Sequence, residues 1–119
     1  MTASAEERPL PPILAVQVTL IRDQFAEAPQ TTPESIRRFV EAAALNICEH
    51  VEVDMDVLNR VLALRAAAEM LAQAIEDPDG DPDFPAAALA RAQGELAALE
   101  ATLFLARPSA MTVALGLGW

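Results

Sequence analysis

From Val57 onward, apolar residues return at alternating four- and three-residue steps: Val57, Val61, Leu64, Ala68, Leu71 and Ile75. That spacing keeps them on one stripe of an α-helix, in the manner of a coiled-coil seam. Leu89, Ala92, Leu96, Leu99, Leu103 and Ala106 repeat the rhythm in a last helix expected from about Phe84 to Arg107. Residues 77 to 83, a run of Asp, Pro and Gly, are all that separates the two stripes, so the pattern predicts an antiparallel helical hairpin.

Upstream, Thr32, Pro33 and Glu34 read as a helix start. A hydroxyl can accept an orphan amide, proline suits the first turn, and a carboxylate faces the positive end of the helix dipole. Ile36, Val40, Ala43 and Ile47 supply the stripe to about His50, with Phe39 and Leu45 flanking or opposite. No glycine or proline follows until the turn after Glu76, so a single long helix is one reading. A break near residues 51 to 56 is preferred, because Val51, Glu52, Val53 and Asp54 are poor helix residues and Asp54 or Asp56 can cap a new start.

Residues 13 to 28 carry two patterns. Leu14, Val18, Ile21 and Phe25 make a helical stripe, while Leu14, Val16, Val18 and Leu20 alternate as a strand would. Helix is favoured, since the helical pattern continues past Arg22 and a lone strand would have no sheet. The expected architecture is therefore all-α, a small up-down bundle of about four helices around a central hairpin. Residues 1 to 12 read as a flexible N-terminal arm, 13 to 107 as the bundle and 108 to 119 as an extended apolar C-terminal tail. In that tail Met111, Val113, Leu115, Leu117 and Trp119 alternate with Thr112, Ala114, Gly116 and Gly118, a strand-like period.

Composition supports the helical reading and narrows the function. Hydrophobic residues are 53% of the 119, much of that alanine, and aromatics only 4% with no tyrosine. The formal charge is −10, every basic residue is arginine, and Arg37-Arg38 is the single basic cluster. Direct nucleic-acid binding, which needs a basic patch to displace phosphate counterions, is not expected, nor is attachment to an anionic membrane. The apolar run near the C-terminus is broken by Arg107 and Pro108, leaving about a dozen residues against the ~20 a spanning helix needs. Cys48 is the lone cysteine, and Glu6, Glu7 and prolines stand where a secretory signal would be basic and then apolar. These features point to a cytoplasmic setting.

Candidate chemistry is sparse. Asp77, Asp79, Asp81 and Asp83 invite a calcium-loop reading, but Pro82 and Ala88 fall where the loop needs glycine and a bidentate glutamate. A solvated acidic turn is the expectation. Cys48 and His50 lie two apart, on different faces of one helix, which argues against a nucleophile and base and leaves Cys48 as a small core or seam residue. With a single histidine, zinc and di-iron sites of helical bundles lack their ligands. Glu49, Glu52, Glu76 and Asp79 loosely resemble the ExxE and ExxD carboxylates of all-α nucleotide pyrophosphohydrolases, which hold magnesium in a bundle. A helix between the two pairs would hold them roughly 30 Å apart.

No catalytic, cofactor or metal residue is therefore assigned. The leading expectation is a non-enzymatic protein-interaction module, an adaptor, assembly factor or accessory subunit, that self-associates and binds a protein partner. Met111, Val113, Leu115, Leu117 and Trp119 are its candidate docking residues, Trp119 being of the type most enriched at hot spots. The alternatives are an acidic inhibitor or mimic that blocks a basic nucleic-acid-binding protein, and a carboxylate metal-dependent helical-bundle enzyme.

Overall fold

Among the described residues there are five helices, of which the four long ones follow the apolar stripes of the sequence. The structure is a computed structural model that describes residues 10–28, 30–77 and 79–116. Helix α1 spans Pro12–Ala26, α2 Pro33–His50, α3 Met55–Glu76, α4 Phe84–Leu103 and α5 Ala110–Ala114. Proline sits in the first turn of α1, α2 and α4, where its missing N–H leaves no intrahelical bond unmade.

The two patterns in the first stretch resolve in favour of helix. Leu14, Val18, Ile21 and Phe25 are buried while Val16 and Leu20 face solvent, an arrangement that a strand, with all of 14, 16, 18 and 20 on one side, would forbid. Leu10 is also buried in the core, so packing begins ahead of residue 13; the rest of the N-terminal arm, residues 1–9, lies outside the described residues.

Residues 34 to 76 form two helices. The Thr32 hydroxyl accepts from the Ser35 amide at 3.1 Å to start α2, and the Asp54 carboxylate accepts from the Val57 amide at 2.9 Å to start α3. Between them Val51 is extended (φ −120°, ψ 154°) and forms an antiparallel bridge with Pro108. A β-branched residue gives up little by leaving a helix for an extended pairing. The same bridge accounts for α4 ending at Leu103 rather than near Arg107: Pro108 disfavours helix in the residue before it, and the Arg107 carbonyl accepts from the Glu52 amide at 2.7 Å.

The four long helices close a ring in which α1 touches α2 and α4, and α3 touches α2 and α4. Cross-helix pairs fix an antiparallel sense at each neighbouring pair they join. Gln24 bonds Ser35 while Gln17 bonds Asn46; Arg37 meets Glu69 while Glu41 faces Arg65. The α3–α4 contact is the most extensive, built on Leu64, Leu71, Leu99 and Leu103, all almost without exposure. Each such leucine contributes about 1.5–3 kcal/mol by leaving water, and Ala67, Ala68, Ala88 and Ala92 between them let the backbones approach. No helix among the described residues is long and apolar enough to cross a membrane.

Leu64→Asp or Leu99→Asp should cost several kcal/mol in urea unfolding, because an unpaired charge is forced into the seam. Asp54→Ala, which removes only a cap, should cost about 1 kcal/mol, and Asp79→Asn in the exposed turn should stay within about 0.5 kcal/mol of the parent.

Candidate protein-docking surface

The C-terminal segment was expected to be extended; its described part is a short helix instead. Ser109 supplies the reason: its hydroxyl accepts from the Thr112 amide at 3.1 Å and caps Ala110–Ala114. Beyond it Gly116 takes a left-handed φ of 72°, with its amide on the Val113 carbonyl, as a helix end commonly does. The alternating apolar residues thus lie on a helix, where Met111 and Leu115 share a side and Val113 does not.

This small helix docks on the C-terminal end of α2, whose last carbonyls have no partners within their own helix. The Ser109 amide donates to the His50 carbonyl at 3.0 Å, the Ser109 hydroxyl to the Glu49 carbonyl at 2.6 Å, and the Thr112 hydroxyl to the His50 carbonyl at 3.1 Å. Thr112 is completely buried. Its neighbours are not: Met111 is 42% exposed, Val113 61% and Leu115 63%. The polar side of α5 faces in and the apolar side faces out. Leu117 and Trp119, the remaining candidate docking residues, lie outside the described residues.

Because Val51 pairs with Pro108, the link between α4 and α5 runs alongside the link between α2 and α3. Leu105 and Val53, both exposed, lie three residues before Pro108 and two after Val51 and so flank this crossing, while Met55 and Leu58, also exposed, lie on the first turn of α3, which does not touch α5. Leu105, at 87% exposure, is the extreme case. None of these four was a sequence candidate. Leu58 could have been noticed as an apolar residue off the Val57, Val61, Leu64 stripe, but Val53 and Leu105 are brought to one crossing only by the bridge.

The other places where chemistry was conceivable are arranged for structure. Cys48 is half-buried on α2, and burial raises its thiol pKa while Arg65 lowers it, the net shift being away from a thiolate. The His50 ring holds its Nδ1 2.7 Å from the Asn46 carbonyl, one turn back on its own helix. Glu49 and Glu52 lie at the α5 end, whereas Glu76 closes α3, whose 22 residues span about 33 Å. Glu76 is engaged by Arg37, which also binds Glu69 through Nε at 2.6 Å and Nη2 at 3.0 Å. Hydrogen bonds from Arg37 hold the Glu69 carboxyl below the usual carboxylate range, against the opposing effect of its slight burial. In the turn, Asp81 spends a carboxylate oxygen on the Asp83 amide at 2.9 Å. Among the described residues no three His, Cys, Asp or Glu side chains come together as a metal site would require.

No family model matches the chain, and no curated protein or solved structure matches it either.

Two outcomes follow from this geometry. Thr112→Val keeps the shape but removes the buried hydroxyl's bond, so it should lower stability by about 1 kcal/mol in urea unfolding and speed amide exchange in residues 109 to 114. For Glu69, whose folded pKa is lowered, the stabilisation is complete above the unfolded carboxylate pKa and lost as pH falls through the folded value. A pH series of unfolding curves should therefore show a shallower acid loss in Glu69→Gln than in the parent, a small difference because both partners are largely solvated.

Proposed function

We propose that the chain is a non-enzymatic protein-interaction module, an adaptor, assembly factor or small accessory subunit, that binds through the α5 end of its bundle. The observation that carries this reading is the inverted helix α5, which buries Thr112 and presents Met111, Val113 and Leu115 to solvent. A helix that served only to cover the core would turn its apolar residues inward, since each one left in water forgoes about 1.5–3 kcal/mol. Hydrogen bonds to α2 carbonyls anchor α5, and most of the area of Val113 and Leu115 and part of that of Met111 stays free for a partner or a second copy of the chain. Leu105 and Val53, exposed beside the Val51–Pro108 crossing that leads into α5, add to this end of the bundle, and large exposed apolar groups are characteristic of interaction sites.

Self-association through this end is part of the reading, and the single cysteine favours a reducing, cytoplasmic setting. An enzyme with a carboxylate metal site is the weaker reading, because Glu49 and Glu76 stand at opposite ends of the bundle.

Val113→Glu and Leu105→Glu, both at exposed positions, should leave the melting temperature within a few degrees of the parent. Each should shift sedimentation toward the monomer, or release a protein that the parent retains from native lysate, by about tenfold in affinity if the position is a hot spot. Unchanged mass and unchanged partners in both variants would remove the basis of this function.

A further inference from the structure

A second surface lies at the other end of the bundle and uses none of the α5 residues. Where α1 ends, α3 ends and α4 begins, a cavity of about 300 Å³ is lined by Ala28, Leu71, Ile75, Pro82, Pro85 and Leu89, with Ala86 at its edge. Its wall is carbon almost throughout and includes two prolines, one from the turn and one from the first turn of α4. Around it stand Glu76, Asp77, Asp79, Asp81 and Asp83, all exposed.

The partial negative C-termini of α1 and α3 meet the partial positive N-termini of α2 and α4 at this end, so the rim's charge is that of its carboxylates, answered by Arg37 at Glu76, and neither α1 nor α3 has a basic residue in its last turn. The nearby arginines of α2 are engaged: Arg37 holds Glu69 and Glu76, and Arg38 holds Glu34 at 2.7 Å. An apolar hole inside an unmatched acidic rim selects a ligand that is apolar at its centre and cationic at its edges.

We infer that this cavity docks one large apolar side chain, Leu, Met or Phe, presented by a Lys- or Arg-flanked segment of a partner protein. The volume suits a single such side chain, and the aspartates meet its flanks. A second copy of this chain is a poor occupant. Each copy carries a net charge of −10, and the exposed Leu105 with its neighbour Arg107 stands beside Glu49, Glu52, Asp54 and Asp56. The charged rim acts mainly on encounter rate and choice of partner, the cavity on residence time.

The test uses the full isotope-labelled chain and a synthetic peptide with a central Leu-Phe pair flanked on both sides by Lys and Arg, followed by amide chemical shifts. Saturable shifts should centre on Leu71, Ile75, Ala86 and Leu89. Ala86→Phe, at an exposed rim position, fills the hole and should weaken binding about tenfold, the effect of losing a buried anchor. Asp79→Asn with Asp81→Asn should weaken binding a few-fold and flatten its salt dependence, because exposed charges are screened. Val113→Glu should bind the peptide as the parent does, which separates this site from the α5 surface. The inference is overturned if the peptide does not bind or if a peptide with Ser-Ser at its centre binds equally. It is equally overturned if Ala86→Phe is without effect while still folded, or if the shifts fall on α5. Should Ala86→Phe fail to fold, the paired aspartate variant and the serine peptide still decide.

Discussion

The seam between α3 and α4 is the contact on which the rest of the molecule depends. Leu64 and Leu71 on one helix and Leu96, Leu99 and Leu103 on the other are withdrawn from water, and alanines between them bring the two backbones together. Neither α1 nor α2 could bury its own stripe without that pair, because each contributes a single apolar face and needs a preformed wall to cover it. Closing the ring with α1 against α4 completes the core, and the surface ion pairs between α2 and α3 then refine register rather than supply stability.

A bundle held in this way leaves its two ends to be finished by loops, and the two ends of this one are finished differently. At the first, the Val51–Pro108 bridge and the hydroxyls of Ser109 and Thr112 satisfy the terminal carbonyls of α2, and uncharged apolar residues are left outside. At the second, a turn of aspartates and prolines joins α3 to α4 and frames an apolar cavity. The flanks between carry Arg37, Glu69, Glu76, Glu41 and Arg65, which largely answer one another's charge. The proposed α5 surface and the inferred basic-peptide cavity thus lie at opposite poles, apart along the length of α3.

What the chain determined by itself was the set of helices and their inward faces. Stripes with a period near 3.6 and start signals such as Thr32 and Asp54 are local properties, so the buried residues of α1 to α4 were legible, as was the hairpin. One local pattern was ambiguous, and another, the alternating tail, read as extended and is helical where it is described. Residues 14 to 20 and 111 to 115 both combine apolar residues two apart with residues three or four apart, and periodicity alone cannot rank the two. Burial decided the first, since α1 has a wall to cover and no sheet to join. A cap from Ser109 and two α2 carbonyls decided the second in favour of helix.

Only the tertiary structure decided which apolar residues would be left outside and where they would gather. Val53 and Leu105 are unremarkable in sequence, and they flank one crossing because an extended Val51 pairs with Pro108 fifty-seven positions later. The apolar cavity likewise needs Ala28 from beyond the end of α1, Leu71 from α3 and Leu89 from α4 at once. Such groupings depend on how helix ends are capped across the chain, a hydrogen-bonding problem between segments distant in sequence. A stripe reports the face a helix must bury; it carries no record of which other segment will satisfy the carbonyls at its end.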